Sequence, residues 1–231
     1  GICRDAGAKL VTKGKSMVSE EVDLNDALRD AGIERMETDL GEYIIQLAEE
    51  PPSHIIAPAV HKTREQVTEL FHENHARYGI ETRAENRTAI VQEARRVLRR
   101  AFLEADVGIT GANFLIAETG SNIIVTNEGN GDLTSCLPRV HIVIASIEKI
   151  TPTLNDVSQI LRVLARSATG QDMSVYTTFS TGPRRPEDPD GPDEYHVGIL
   201  ANGRTELLGS QFQAARRCLR CGACSHQCPR H

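Results

Sequence analysis

Short β-rich runs alternate with helix-periodic stretches along most of this chain, and no other feature of the sequence constrains the fold as strongly. Residues 9–12, 34–37 and 55–57 have the apolar, branched character of strands. Between them, residues 24–29 and 40–49 carry helical spacing, closed by Gly32 and by the Pro51–Pro52 pair. Thr63-x-x-Gln66 has the form of a capping box opening a helix that carries Val67, Leu70 and Phe71, with Gly79 at its end. Strands separated by helices run parallel, because the crossover must return to the same edge, and the helices cover the sheet's faces. The expected class is therefore α/β, a parallel or mixed sheet flanked by helices.

The rest of the chain continues the pattern. Ile90, Ala94, Val97, Leu98, Ala101, Phe102 and Ala105 recur at spacings of three and four and form one apolar helix face. Arg95, Arg96, Arg99 and Arg100 fall outside that stripe and read as a solvated face rather than a phosphate-binding patch. Residues 114–117, 122–126 and 140–145 are β-rich. A further helix carries Leu154, Val157, Ile160, Leu161, Leu164 and Ala168 and ends at Gly170. Residues 175–179 and 196–200 read as the last strands. The intervening 181–194 holds four of the ten prolines, which suits a surface loop and not a sheet or helix interior.

A net charge of -6 argues against a general nucleic-acid partner or membrane-surface role, both of which favour excess positive charge. No stretch approaches the roughly 20 apolar residues of a membrane span, and no leader with a small-residue cleavage site precedes the first strand. A cytoplasmic location is expected. Of the six cysteines, four lie between Cys218 and Cys228, leaving Cys3 and Cys136 as ordinary buried thiols. Cys218, Cys221, Cys224, Cys228 and Pro229 make a C-x2-C-x2-C-x3-C-P run. Thiolates are soft donors that match iron in a sulfide-bridged cluster, and two-residue gaps let three sulfurs reach three corners of one 4Fe–4S cube. Zinc ribbons set two cysteine pairs about 15 to 20 residues apart, a separation this run lacks. In two-cluster ferredoxins the fourth cysteine of such a run ligates the other cluster.

Three loops are candidates for a binding site. Lys13, Lys15 and Ser16 follow a strand and precede a helix, where open α/β sheets place ligands. The Walker A pattern fails there, because the position that needs Gly is Lys9, which argues against an ATPase. The two lysines and Ser16 can hold a carboxylate or phosphate, or form an ordinary polar turn. Glu118, Thr119 and Gly120 join two β runs, and Asn127, Glu128 and Asn130 follow the second. Glycines there allow close backbone approach and the glutamates offer acid, base or nucleophile, although hairpin turns use the same residues. His54, His61, His72, His75 and His141 lack a metal-site spacing, and His72 and His75 are expected on a solvated helix face.

Taken together, Lys13-Gly-Lys-Ser-Met-Val-Ser-Glu-Glu21, Glu37-Thr-Asp-Leu-Gly-Glu-Tyr-Ile-Ile-Gln46, residues 108–118 and 126–131, Leu137-Pro-Arg-Val-His141 and the cysteine run resemble the iron–sulfur lactate-utilization members of the LUD-domain family. The resemblance covers nearly the whole chain. It implies a fold similar to the sugar-phosphate isomerase and CoA-transferase group, and a part, with two companion proteins, in oxidising L-lactate to pyruvate in bacteria. It also implies an electron-transfer subunit with two 4Fe–4S clusters in a C-terminal ferredoxin-like domain. On this reading residues 1–210 are an N-terminally truncated LUD-type domain, and 211–231 begin the truncated ferredoxin-like one. The remaining cluster ligands are expected from a second cysteine run outside this chain. Two other functions stay open: an isomerase- or transferase-like enzyme using Glu118 on a small anionic substrate, and a non-catalytic assembly scaffold.

Overall fold

The computed structural model describes residues 1–53, 57–218 and 224 of the 231-residue chain. In chain order its strands are β1 (Leu10–Lys13), β2 (Glu34–Glu37), β3 (Val107–Thr110), β4 (Phe114–Ile116), β5 (Ser121–Thr126), β6 (Val140–Ser146), β7 (Ile150–Thr151), β8 (Tyr176–Ser180) and β9 (Glu194–Leu200). Its helices are α1 (Ile2–Asp5), α2 (Met17–Glu21), α3 (Leu24–Asp30), α4 (Leu40–Ala48), α5 (Arg64–His75), α6 (Arg87–Glu104), α7 (Asn130–Cys136) and α8 (Leu154–Thr169). One sheet is wholly parallel, in the order β2-β1-β3-β6-β9. A second, mixed sheet runs β7-β4-β5-β8, with β5 antiparallel to both its neighbours. The α/β class expected from the alternation is the one observed.

Helix formation follows local chemistry. Thr63 and Gln66 make the reciprocal capping box expected for α5, and Thr153 with Asp156 makes a second one at α8. Gly170 takes the left-handed conformation, φ 75°, that ends α8. The apolar stripe of α6 packs Ile90, Ala94, Val97, Leu98, Ala101 and Phe102 into one core with Met36, Tyr43 and Phe71. Full burial of its larger side chains contributes roughly 1.5–3 kcal/mol each. Arg95, Arg96, Arg99 and Arg100 of α6 are solvent-exposed, as expected. On the opposite face of the parallel sheet, Val11, Val107, Ile109, Val140 and Ile142 pack with Leu28 of α3. The mixed sheet has its own core, where Phe114, Ile116 and Ile123 meet Val157 and Leu164 of α8.

Several expectations need correction. His75 is fully buried rather than on a solvated face. It lies four residues beyond Phe71, which lies four beyond Val67, so it continues the inward stripe of α5. There Nε2 sits 2.8 Å from the Tyr43 hydroxyl and Nδ1 sits 2.7 Å from a Glu93 carboxylate oxygen. Burial outweighs the Glu93 carboxylate and holds the imidazole below its usual pKa. Residues 127–132 do not close a hairpin: Gly129 is the N-cap of α7, and β5 pairs instead with β8. The strand β3 has no counterpart among the expected runs, because it is four residues long and contains Gly108. The strand expected at 55–57 falls on positions of which 55 and 56 lie outside the described residues.

Gly108 shows how tightly α7 seats on the parallel sheet. A Cβ at that position would lie 1.8 Å from the Thr134 carbonyl oxygen, so helix and strand can touch only where no side chain intervenes. Replacing Gly108 by Ala should push α7 off β3 at a cost of about 1–3 kcal/mol. Thermal unfolding should show it as a Tm lower by roughly 2–4 °C for each kcal/mol; an unchanged Tm would refute the contact.

Candidate functional site

From β1 the parallel sheet extends to β2 on one side and to β3 on the other. At such a reversal the loops leaving the two central strands part and open a crevice at their carboxyl ends. A cavity of about 390 Å³ occupies that place. Gly14, Lys15 and Ser16 form one wall with Met17 and Val18 of α2, and residues 110–113 form the next. The end of β5 and the loop through Gly131 close a third side, with Leu164, Ala165 and Ala168 of α8 beyond it. The Gly14 amide donates to the Ile109 carbonyl at 2.8 Å and continues the β1–β3 ladder to the cavity edge. Ser16 caps α2, its Oγ accepting from the Ser19 amide at 3.2 Å. A Cβ at Gly111 would sit 3.1 Å from that Oγ, which is why the two loops meet at a glycine.

The expected site residues separate into three groups. Lys15, Ser16, Asn127, Glu128 and Asn130 line the cavity together. Asn127 donates from Nδ2 to Gln171 Oε1 at 2.9 Å and accepts from the Val175 amide at 3.2 Å, tying its loop to the segment after α8. Asn130 Oδ1 is buried without a hydrogen-bond donor among the described residues, a position that favours a ligand N–H or O–H. Lys13 does not line the cavity. It alternates with Thr12 along β1, is fully buried, and its Nζ lies 2.9 and 3.1 Å from the two Glu37 oxygens. Asn25 donates to the same carboxylate at 3.2 Å. Removing one member of such a pair strands a buried charge, typically at about 3–5 kcal/mol.

Glu118, Thr119 and Gly120 form the third group. They make the closed end of the β4–β5 hairpin, with Gly120 at φ 70° and Thr119 Oγ1 2.7 Å from Ser121 Oγ. Glu118 is exposed there and does not line the cavity, whose first lining residue along β5 is Ile124. Cys218 and Cys224 are exposed; Cys221 and Cys228 lie outside the described residues. Cys3 and Cys136 are half-buried, and burial pushes both thiols up in pKa, as suits inert positions. Among the described residues no three His, Cys, Asp or Glu side chains gather as a metal site.

The cavity also contains residues that the sequence did not suggest: Asp39, Asn113, Lys149 and Gln171. Asp39 had a local signal, since it precedes α4 as an N-cap and accepts from the Glu42 amide at 3.1 Å. Thr110 to Asn113 had none, because β3 is too short to show. Behind that wall the Thr110 hydroxyl lies 2.8 Å from His141 Nε2, and burial lowers the His141 pKa to about 4, so the ring is neutral.

Residues 4–200 match the family model described as the LUD domain. The chain is 50% identical over 223 residues to lactate utilization protein B of Shouchella clausii, a match covering 96% of this chain and 46% of the relative. It is 46% identical over 229 residues to the Bacillus subtilis protein of the same name, covering 99% and 47%. An Escherichia coli K12 protein named uncharacterized electron transport protein YkgF is 46% identical over 228 residues, again covering 99% and 47%. The chain thus spans about half the length of the curated relatives it matches. A duf162 family protein from Deinococcus radiodurans, known from its crystal structure, aligns over 86% of this chain and 92% of its own at 18% identity, with a TM-score of 0.36.

Ionisation near the cavity is testable without any ligand. Burial, then the nearby Glu20 and Glu37 carboxylates, raise the Glu42 pKa from 4.5 to about 7. Between those values the folded chain binds more protons at this group than the unfolded one. Its contribution therefore makes stability fall as pH rises from about 4.5 to about 7. Glu42→Gln should flatten that part of the profile by on the order of 2 kcal/mol. Urea unfolding at pH 5 and pH 8 measures the difference, and equal pH slopes in both proteins would refute it.

Proposed function

This chain belongs to the LUD domain family, and on that premise we propose that it serves lactate utilization as an iron–sulfur electron-transfer subunit of a lactate-oxidising system. The observation that carries the reading is its identity of 46 to 50% with relatives named lactate utilization protein B, across 96 to 99% of the chain. The name of the Escherichia coli relative, an electron transport protein, supports the redox half. In this reading residues 1–210 form the LUD-type domain and 211–231 begin a ferredoxin-like one. The partners are companion lactate-utilization proteins, working in the cytoplasm. Among the described residues no helix is long and apolar enough to cross a membrane.

Cys218, Cys221, Cys224 and Cys228 suit a 4Fe–4S cluster by donor chemistry, four thiols within one short run. Cys218 and Cys224 are exposed, so ligation at those two positions would disturb no core packing. A bound cluster supplies one-electron transfer, with its potential set by hydrogen bonds and burial around the sulfurs. The cavity's role is to hold a small carboxylate. Lys15 offers the opposing charge, the Asn130 side-chain oxygen accepts from a hydroxyl, and Ile124 and Leu164 offer apolar surface to a methyl group. Glu118 stands outside this cavity, which leaves the isomerase- or transferase-like alternative without its acid–base group there.

Two measurements test the proposal. Anaerobic reconstitution of the full-length protein with iron and sulfide should give visible absorption and a reducible EPR signal, both diminished in Cys224→Ser while far-UV circular dichroism is unchanged. Uptake of zinc in place of iron would sink the redox half. In calorimetric titration with L-lactate, Lys15→Ala should weaken binding about tenfold or more, the loss of a charge-assisted contact, and Glu118→Gln should leave it unchanged. The reverse pattern would move the site to the hairpin tip.

A further inference from the structure

The segment that leads from β9 to the cysteine run is fastened to the cavity by one arginine. Among the described residues from 201 to 215, Arg204 is the only buried one, at 9% exposure, so this stretch has no apolar core of its own. Its guanidinium holds two carboxylates at once. Nη1 and Nη2 lie 2.7 and 2.5 Å from the two oxygens of Glu21, and Nε lies 2.8 Å from Glu148 Oε2. Asn202 adds a donor to the same Glu21 at 2.5 Å.

Both carboxylates sit on elements that contribute other residues to the cavity lining. Glu21 is the last residue of α2, whose Met17 and Val18 line the cavity. Glu148 precedes Lys149, a lining residue, in the 3-10 turn Ile147–Lys149 that follows β6. These two elements are separated by more than a hundred residues in the chain, and Arg204 bridges them from a third place. A planar fork that binds one carboxylate through two hydrogen bonds and ion-pairs with a second holds the two groups it joins at a set spacing, which a lysine does less well.

We propose that Arg204 is a positioning residue that couples the cavity to the cysteine-bearing segment: it sets the spacing of the α2 and Lys149 walls, and ligand uptake in turn orders residues 201–215. The coupling is reciprocal, because whatever tightens one side must favour the other by the same factor. Its ligand half rests on the small-carboxylate reading of the cavity; its structural half does not.

Hydrogen exchange read by mass spectrometry on the whole chain, without ligand, tests the structural half. Arg204→Gln should speed exchange about tenfold or more in peptides covering 17–22 and 147–151 as well as 201–215, with 87–104 unchanged. Acceleration confined to 201–215 would show that Arg204 merely tacks down the segment, and would overturn the proposal. Should Arg204→Gln fail to fold, seen as lost protection in 87–104, Arg204→Lys takes its place and should show the same pattern at smaller amplitude. For the ligand half, saturating L-lactate should slow exchange in 201–215 of the unmodified chain, and Arg204→Gln should weaken L-lactate binding about tenfold. Unchanged affinity in the variant overturns that half. If the unmodified chain takes up no L-lactate, the carboxylate reading falls and the ligand half with it, while the exchange pattern still decides whether Arg204 joins the walls.

Discussion

Where β1 and β3 pair, Val11 lies opposite Val107 and Lys13 opposite Ile109, and the Gly14 amide carries the ladder one bond further. These two short strands lie side by side in the parallel sheet, yet they are joined in sequence only through β2 and five α-helices. The chain therefore leaves them in different directions, one loop into α2 and the other into the mixed sheet. Their divergence creates the cavity, and the glycines at 14 and 111 let the loops approach to within side-chain contact of Ser16 before they part. A cavity at this position follows from the strand order rather than from any one residue.

Around this centre the layers are joined by buried polar links as well as by apolar packing. Lys13 and Glu37 are register partners across β1 and β2, and their ion pair lies beneath the α2–α3 side. Tyr43, His75 and Glu93 connect α4, α5 and α6 in one chain of hydrogen bonds. Thr110 and His141 join β3 to β6, and Tyr195 reaches from β9 to Asn122 of the mixed sheet at 2.8 Å. Each link is costly if half made, so it favours a single arrangement of the layers over near alternatives. The walls of the cavity inherit that definition.

The cavity and the cysteine run occupy one chain but have different physical character. The cavity is walled by elements with deep cores, whereas the approach to Cys218 is exposed and held electrostatically through Arg204. The segment leading to Cys218 is thus lightly anchored, and the elements that wall the cavity are not. The segment can meet another surface without disturbing the sheet. The curated relatives extend to about twice this length.

Much of the architecture was legible from local chemistry. Strand–helix alternation implied the parallel sheet, the Thr63–Gln66 box marked a helix start, and the three-and-four spacing from Ile90 to Phe102 marked the inward face of α6. The spacing from Cys218 to Cys228 places four thiols in one short run, a pattern read with no fold at all. Each of these signals lies within a few residues, because caps, periodicity and ligand loops are short-range physics. The hidden features depended on contacts between distant segments. β3 is visible only by its pairing, and His75 is buried only because α4 and α6 close over α5. Lys13 and Lys15 are two residues apart and equally basic; Lys13 ends β1 and is buried, whereas Lys15 lies past the strand end in the loop at the cavity. Glu118 and Glu128 sit in similar glycine-containing turns, and the antiparallel course of β5 sends them to opposite ends of the strand. Sequence thus determined which elements form and which donors are present. Tertiary structure decided which loops converge, because strand order is settled by pairing between segments some hundred residues apart.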